Sequence, residues 1–542
     1  MKKKIVSVIL TLGMLASLSL GACGSDDATE KTVEKSEMEK VNDLPENVID
    51  DNYRTTYEVF VYSYCDSDDD GIGDFPGLTS KLDYIDDLGC NEIWLMPIMP
   101  SPSYHKYDVT DYRDIDKQYG TMDDFEEFVS ECHNRDINVT IDFVLNHSSS
   151  EHEWFTTACE YLATLDENEE PDLNECPYVD YYHFTREKGK AKHTQVKGTN
   201  WYYESQFVDS MPDLNLDSEL LQNEVGEIVD FWIDKGVDGF RLDAVKEYTS
   251  GDPIKSTQQL SWIVDTIKER KEDAYIVGEG WTTYDQYSIF YGSGIDSMFD
   301  FAFAEQDGYI AKVLNGRAKS GASTYGLAIE AVDNEISQYT DSYIDAPFYT
   351  NHDMGRGAGY YIGDNAVEKI KMAQAMNLLM TGNAFLYYGE EIGMKGAAND
   401  ETKRLGMIWS DDEDTEGMCD GPVNAKEVEQ KNGSLDSQKD DPYSIYNFVR
   451  QTIKIRNAYP AIARGETVFE QELSDDKICV LSKEYEGEKV VLIYNTSDEE
   501  CTVDVNSLGV SEIGGMLQTT EKAPSYANGK AKLPAYSVLV LK

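Results

Sequence analysis

The most constraining feature of this 542-residue sequence is a repeated alternation of short apolar runs with longer amphipathic stretches. The stretches 122–134 and 220–235 carry apolar residues at three- and four-residue spacing, which is typical of helices that bury one face. Eight strands with helices between them predict a (β/α)₈ barrel. The predicted strands fall at 58–62, 92–97, 138–144, 238–242, 275–278, 298–303, 347–350 and 385–388.

Two parts of the sequence do not show this alternation of strand and helix patterns. Residues 147–208, between the third and fourth predicted strands, are rich in Tyr, Glu and Asn and show no barrel repeat, so we expect an inserted domain there. Short β segments separated by Gly and Asn/Asp turns predict a C-terminal antiparallel β-sandwich over 464–542. The barrel is therefore predicted to comprise 51–146 and 209–463.

The first 23 residues have the pattern of a targeting segment. Three lysines follow Met1, an apolar stretch covers 5–20, and LGAC at 20–23 has the form of a bacterial lipobox. We predict an extracellular protein that carries lipid on Cys23 and is joined to the membrane through a flexible acidic tether at 24–50. An uncleaved membrane anchor is the alternative, although the apolar stretch is shorter than the roughly 20 residues that span a bilayer.

The net charge is −55, from 102 acidic and 47 basic residues. Such a charge repels phosphate backbones, so we expect no nucleic-acid partner. A neutral polysaccharide is not repelled. Most of these acidic side chains have no role beyond keeping the protein in solution.

Charged side chains follow several predicted strands. Arg241 and Asp243 close the fourth strand and, being two residues apart, point to the same side of it. In a barrel they would lie together at the mouth, where active sites are built. A neighbouring arginine lowers the pKa of a carboxyl group, as a nucleophile requires. A structural ion pair at a strand end is the alternative.

Another carboxylate follows each of two later strands. Glu279 follows the fifth strand between two glycines and precedes Trp281, a setting in which desolvation raises the carboxyl pKa and favours a general acid. Asp353 and His352 follow the seventh strand, and His147 follows the third. A lone histidine is more often packed than functional, but two at equivalent strand ends favour a shared site.

An acidic loop, DSDDDGIGD at 66–74, follows the first strand. Carboxylates at its positions 1, 3, 5 and 9, a glycine at position 6 and a carbonyl at position 7 suit a hard cation such as Ca²⁺. The loop is not an EF-hand, because no glutamate closes it. A solvated acidic turn is the alternative. The candidate ligands are Asp66, Asp68, Asp70, the Ile72 carbonyl and Asp74.

The strand-end motifs, taken in order, resemble the four conserved regions of the α-amylase superfamily, glycoside hydrolase family 13. They read DFVLNH, GFRLDAV, VGEGW and FYTNHD, and the resemblance covers roughly residues 53–460 and the C-terminal sandwich. It implies that Asp243 is the nucleophile, Glu279 the general acid/base and Asp353 the carboxylate that stabilises the distorted sugar.

The same resemblance implies the residues that contact the sugar. Arg241, His147 and His352 would lie at the cleavage point. Tyr107, in YHKYD at 104–108, would stack on the sugar, although many relatives have Gly where this chain has Lys106.

Three further expectations follow from the resemblance. Arg356 matches an arginine that orients Asp353. Lys246 matches a lysine on the leaving-group side, although Glu247 stands where many α-amylases have histidine. The acidic loop at 66–74 matches the calcium loop of the family.

The substrate is indicated by two features. MPDLN at 211–215 resembles a motif that is intermediate between those of oligo-1,6-glucosidase-like and neopullulanase-like enzymes and is found mostly in bacterial α-amylases. Relatives specialised for α-1,6 bonds often carry Val after the nucleophile, so the resemblance implies that Ala244 favours α-1,4 bonds. We therefore predict a retaining, endo-acting α-amylase that cleaves starch and maltodextrins. The alternative is a neopullulanase/cyclomaltodextrinase-like or α-glucosidase activity on short malto-oligosaccharides. A lipid-anchored maltodextrin-binding protein, from a different class, would not need the three carboxylates.

Overall fold

The computed structural model describes residues 35–47, 49, 51–188 and 192–542. Cys23, the targeting segment and the first part of the predicted tether, residues 24–34, lie outside these residues. Among the described helices, none has the length and apolar character required to cross a bilayer.

Eight parallel strands form a central barrel. Its sheet order is β10-β9-β8-β7-β3-β2-β1-β11, and a parallel bridge between Phe348 and Phe385 joins the two edges. The predicted (β/α)₈ barrel is therefore confirmed. The barrel strands are β1 (Thr55–Val59), β2 (Glu92–Leu95), β3 (Asn138–Phe143), β7 (Gly239–Leu242), β8 (Tyr275–Gly278), β9 (Ser297–Asp300), β10 (Ala346–Pro347) and β11 (Ala384–Tyr387). The insertion contains a small antiparallel sheet of β4 (Phe184–Thr185), β5 (His193–Gln195) and β6 (Tyr202–Glu204).

The first strand begins and ends earlier than the sequence predicts. The prediction was 58–62, whereas β1 is Thr55–Val59 and a 3₁₀ turn covers Val61–Ser63. Every residue of this strand and of the turn is buried. The strand begins with the polar residues Thr55 and Thr56, whereas the apolar run of the sequence continues to Tyr62, so the apolar pattern places the strand too late.

Helices of widely varying length surround the barrel and connect its strands. α4 begins with a capping box between Thr121 and Asp124 and buries one face, in agreement with the predicted helix at 122–134. The helices are α1 (Glu37–Val41), α2 (Phe75–Thr79), α3 (Leu82–Leu88), α4 (Met122–His133), α5 (Glu153–Leu162), α6 (Glu219–Asp234), α7 (Pro253–Lys268), α8 (Tyr284–Tyr287), α9 (Tyr309–Leu314), α10 (Ser323–Ile336), α11 (Ala366–Leu378), α12 (Leu435–Gln438), α13 (Ile445–Ala458) and α14 (Pro460–Arg464).

The C-terminal region is an antiparallel β structure of two sheets. The five-stranded sheet has the order β12-β13-β14-β19-β16, and the three-stranded sheet has the order β15-β18-β17. Apolar side chains of both sheets, such as Val491 and Leu533, share one core. The strands are β12 (Glu466–Phe469), β13 (Ile478–Tyr485), β14 (Glu488–Asn495), β15 (Cys501–Asp504), β16 (Ile513–Leu517), β17 (Ser525–Ala527), β18 (Lys530–Leu533) and β19 (Ser537–Leu541).

The segment before the barrel is packed against this C-terminal region. Met38 of α1 is fully buried. The Asn42 side chain donates to the Met516 carbonyl oxygen at 2.8 Å and accepts from the Met516 amide at 2.9 Å. The expectation of a flexible tether over 24–50 is therefore wrong for α1 and Asn42, because the buried Met38 side chain and the paired Asn42 amide fix this part of the chain in place.

Candidate active site

A cavity of about 460 Å³ opens where the barrel strands end. Asp243 and Glu279, which directly follow β7 and β8, both line it, and so does Asp353 from the segment after β10. The structure thus brings the three predicted carboxylates to one cavity. The other lining residues are His105, Tyr107, His147, Phe207, Met211, Ala244, Trp281, Asp400, Lys403 and Arg404.

Arg241 is the buried centre of this site. Its Nη1 atom lies 2.7 Å from Asp243 Oδ1 and 2.8 Å from Asp142 Oδ1. Its Nη2 atom lies 3.1 Å from Glu279 Oε2, an ion pair without good hydrogen-bond geometry. Asp142 on β3 is the register partner of Arg241 on β7, which explains their contact. One guanidinium therefore contacts three carboxyl groups.

The charge balance around Arg241 bears on the protonation of its neighbours. Burial raises the pKa of Asp142 to about 7, with Arg241 opposing the shift and Asp243 adding to it. Burial likewise raises the pKa of Glu279 to about 7, again against the effect of Arg241. Glu279 is thus a carboxyl group that holds a proton near neutral pH, which agrees with the sequence prediction of a desolvated acid.

The backbone beside the nucleophile position adds a contact to Glu279. Ala244 has a φ of +46°, in the left-handed region that a non-glycine residue rarely adopts. In this conformation its N–H donates to Glu279 Oε2 at 3.1 Å. The residue that follows Asp243 therefore helps to orient the side chain of Glu279.

Asp353 lies between two cationic groups. Its Oδ2 atom is 3.0 Å from His352 Nε2, and its Oδ1 atom is 2.9 Å from Arg404 Nη2. His352 Nδ1 in turn lies 2.5 Å from Glu58 Oε1. Although burial lowers the pKa of His352, Asp353 and Glu58 raise it to about 9. Burial alone raises the pKa of Asp353, but His352 and Arg404 hold it well below its usual range, so this carboxylate stays ionised.

Tyr107 contacts both the residues around Arg241 and the residues around Asp353. Its hydroxyl lies 2.6 Å from His352 Nε2 and donates to Asp142 Oδ2 at 3.0 Å. The residue before it, Lys106, has a φ of +64°, which explains why glycine suits this position. Lys106 is buried, and its amine lies 2.9 Å from Asp116 Oδ2. A buried ion pair therefore accompanies the unfavourable backbone conformation.

His147 and Phe207 form the side of the cavity next to the insertion. His147 is buried, burial lowers its pKa, and its Nε2 atom has no hydrogen-bond partner among the described residues. The His147 and Phe207 rings are 5.2 Å apart. A neutral imidazole with an unused nitrogen at the cavity is available to a ligand hydroxyl.

The structure places Arg356 away from the cavity. Its guanidinium is fully buried and donates to the carbonyl oxygens of Tyr388 at 2.6 Å and Lys403 at 3.0 Å. The arginine that contacts Asp353 is Arg404, so the expectation that Arg356 orients Asp353 is wrong. Arg404 follows Asp353 by 51 residues and ends a 3₁₀ helix at Glu401–Arg404, and no spacing pattern in the sequence indicates it.

Lys246 lies beside the cavity. Its amine donates to the Trp281 carbonyl oxygen at 3.1 Å and lies 3.3 Å from Glu247 Oε1. Trp281 lines the cavity and stacks on Phe301, with ring centroids 5.6 Å apart. Lys246 therefore supports the backbone of a lining residue from a partly exposed position.

The acidic loop brings together part of the predicted metal ligands. One carboxylate oxygen from each of Asp66, Asp68 and Asp74 lies within 4.8 Å of the others. The side chain of Asp70 is exposed, stands outside this group and accepts from the Ile72 amide at 2.8 Å. Carboxylate oxygens are the donors that Ca²⁺ prefers, so the three clustered side chains fit a hard cation.

Comparison with known proteins gives concordant matches. A family model described as the catalytic domain of alpha amylase matches residues 58–465. Alpha-amylase 3 of Dictyoglomus thermophilum is 35% identical over 452 residues, which are 83% of this chain and 86% of that protein. Eubacterium rectale Amy13B has a TM-score of 0.93 and 64% identity over 94% of this chain and 99% of that chain. An alpha-amylase from H. orenii has a TM-score of 0.77 and 31% identity, over 91% and 99%.

Proposed function

We propose that this chain, which belongs to the α-amylase family of glycoside hydrolases, cleaves internal α-1,4-glucosidic bonds of starch and maltodextrins with retention of configuration. The observation that carries the proposal is the pairing of Asp243 and Glu279 with the same guanidinium, that of Arg241, at one cavity. Two carboxyl groups in such proximity, one of them protonated near neutral pH, match the requirements of a retaining glycosidase.

The proposed reaction has two steps. Asp243 attacks the anomeric carbon while Glu279 gives its proton to the glycosidic oxygen, so that the C–O bond breaks and the leaving chain departs as an alcohol. Glu279, now ionised, takes a proton from water, whose oxygen attacks the same carbon and releases Asp243. Two successive inversions retain the configuration. The pKa of about 7 keeps Glu279 protonated at the start of the cycle.

The remaining groups of the cavity position the sugar. Asp353 is an acceptor for sugar hydroxyls, and its contacts with His352 and Arg404 fix its orientation and charge. The Nε2 atom of His147 can donate a hydrogen bond to a sugar hydroxyl, because the Nδ1 atom of this neutral ring accepts from the Asn146 amide at 3.3 Å. Such contacts assist the reaction to the extent that they strengthen as the sugar distorts toward the transition state.

A time course of products tests the substrate and the mode of cleavage. We expect mid-length maltodextrins to appear early from amylose, and pullulan to be cut slowly. Glucose as the sole product would indicate an exo-acting α-glucosidase instead, and panose from pullulan would indicate the neopullulanase-like alternative. Retention is checked by the anomeric configuration of the first product, measured by NMR before mutarotation.

We also propose that Asp66, Asp68 and Asp74 bind Ca²⁺, which would neutralise these clustered charges and hold the loop together. Chelation with EDTA should lower the melting temperature, and added CaCl₂ should restore it. Asp68→Asn should remove this response, whereas Asp69→Asn, in the same loop but outside the cluster, should keep it. An unchanged melting temperature and no metal in the purified protein would favour the solvated acidic turn.

The proposed location is outside the cell, with a lipid anchor on Cys23. The support for this proposal is the basic, apolar and lipobox pattern of the first 23 residues. Cys23→Ala should move the protein from the membrane fraction to a soluble fraction. A Cys23→Ala protein that stays in the membrane fraction would overturn the lipid anchor.

A further inference from the structure

Phe207 is an aromatic residue of the inserted segment that is left open to solvent beside the catalytic carboxylates. Its side chain lines the cavity and is 40% exposed. Its ring centroid lies 5.2 Å from that of His147, whose Nε2 has no hydrogen-bond partner among the described residues. Solvent-exposed aromatic surface within a polar cavity is typical of a binding surface rather than of a core.

The loop that carries Phe207 is held at several points. Both carboxylate oxygens of Asp213 accept from the Gln206 amide, at 3.1 and 2.9 Å. Tyr203 donates its hydroxyl proton to the Asp209 carbonyl oxygen at 2.6 Å, and Lys192 donates to the Phe207 carbonyl oxygen at 3.3 Å. These contacts fix the backbone on both sides of Phe207, so its ring is presented to the cavity in a defined position.

The neighbouring residue Val208 provides an internal comparison. It is 48% exposed, slightly more than Phe207, but it does not line the cavity. Exposure alone therefore does not distinguish the two residues. The two residues differ in position, because Phe207 lines the cavity and Val208 does not.

We propose that Phe207 contacts the apolar face of a glucose ring in the bound glucan, so that the inserted segment contributes directly to substrate affinity. This inference rests on the proposed α-glucan substrate. The C–H groups on one face of a glucose ring form an apolar surface, which suits the flat face of a phenyl ring. His147, in contact with the same phenyl ring, would meanwhile bind a hydroxyl at the edge of the sugar.

The test compares Phe207→Ala, Phe207→Leu and Phe207→Tyr with the control Val208→Ala. Steady-state rates on maltotriose and maltoheptaose should show KM raised about tenfold in Phe207→Ala, with kcat within about twofold, because the contact is equal in the ground and transition states. Phe207→Leu keeps apolar area but not the flat face, and should fall between Phe207→Ala and the wild type. Phe207→Tyr and Val208→Ala should match the wild type.

A binding measurement separates affinity from turnover. Calorimetric titration of maltoheptaose into Glu279→Gln, with and without Phe207→Ala, should show the same tenfold weakening. Melting temperatures of the Phe207 variants should stay within about 2 °C of their parents, because the side chain is half open to solvent.

Two outcomes would contradict the inference. One is an unchanged KM and Kd in Phe207→Ala, and the other is an equal loss in Val208→Ala. Either result, from an enzyme that still hydrolyses maltoheptaose, would overturn the inference alone. A wild-type protein that neither binds nor cleaves any α-1,4-glucan would instead overturn the proposed function.

Discussion

Arg404 Nη2 lies 2.9 Å from Asp353 Oδ1, and the Nη1 atom of the same side chain lies 3.0 Å from both Tyr104 Oη and Asp400 Oδ2. The guanidinium is buried, and its Nε donates to the His352 carbonyl oxygen at 3.1 Å. Arg404 thus connects the 3₁₀ helix Glu401–Arg404, after the last barrel strand, to the carboxylate that follows β10. The position of Asp353 depends on a contact that spans two separate loops.

We expect Arg404→Ala to lower kcat/KM by about a hundredfold. The change removes a charged hydrogen bond to Asp353 and leaves Asp353 with His352 as its remaining cationic contact, a loss of about 2–3 kcal/mol. Arg404→Lys should recover part of the activity because it keeps the charge but not the planar fork. The exposed Arg317→Ala serves as the control. A kcat/KM of Arg404→Ala within threefold of the wild type would exclude this role.

The three carboxylates should be individually indispensable. Asp243→Asn, Glu279→Gln and Asp353→Asn are each expected to reduce kcat on maltoheptaose by at least about a thousandfold, because each removes a group that acts at the reacting centre. Asp273→Asn, at an exposed position, is the matched control. Substantial turnover by any one of the three pure, folded variants would refute the role given to that residue.

Activity should fall as the pH rises through about 7. Glu279 must be protonated to release the leaving chain, and its pKa is raised by burial to about 7. The pH profile of kcat/KM should therefore show an alkaline limb near that value. An aryl maltoside, whose leaving group needs little protonation, should show a weaker limb. Equal limbs for both substrates would assign the titration to another group, for which Asp142 is the candidate.

The same proton affects stability. Folding raises the pKa of Glu279 from an ordinary value of 4.5, so the folded protein holds a proton that the unfolded chain releases. The contribution of the protonated Glu279 side chain to stability is complete below pH 4.5 and declines as the pH rises through about 7. Urea unfolding of Glu279→Gln from pH 4 to 9 should show a shallower decline than the wild type. A residual decline is expected because Asp142 titrates in the same range.

Lys106 allows a test of backbone strain. Both Lys106→Gly and Lys106→Ala remove the ion pair with Asp116, but only glycine adopts a φ of +64° without a steric penalty. We therefore expect the order of stability to be wild type, then Lys106→Gly, then Lys106→Ala, with about 1 kcal/mol between the two variants. Equilibrium urea denaturation measures the order. An alanine variant as stable as the glycine variant would show that backbone strain at this position does not lower the free energy of unfolding.

The part of the site that follows from local spacing was predictable. Arg241 and Asp243 point the same way because side chains alternate along β7, and Glu279 follows the adjacent strand. Asp142 was not predicted as a site residue, because its role depends on the register between β3 and β7, which the sequence does not state. The barrel itself was predictable because eight short apolar runs alternate with amphipathic stretches along the sequence.

Contacts after the strand ends were less predictable. Arg356 stands three residues from Asp353 in the sequence, yet its side chain points to the carbonyl groups of Tyr388 and Lys403. Arg404 is 51 residues from Asp353 in the sequence, yet its guanidinium contacts the Asp353 carboxylate. Once the chain leaves a strand, no period relates sequence spacing to direction. Tertiary packing alone decides which arginine meets the carboxylate.

The pairing of Asn42 with Met516 also bears on self-association. β16 is at the edge of the five-stranded sheet, where unpaired backbone groups can recruit a strand from another molecule. The Asn42 amide occupies both the donor and the acceptor of Met516, as a neighbouring strand would. Loss of the segment before residue 47 would open this edge, so a proteolytically trimmed protein should aggregate more readily than the intact chain.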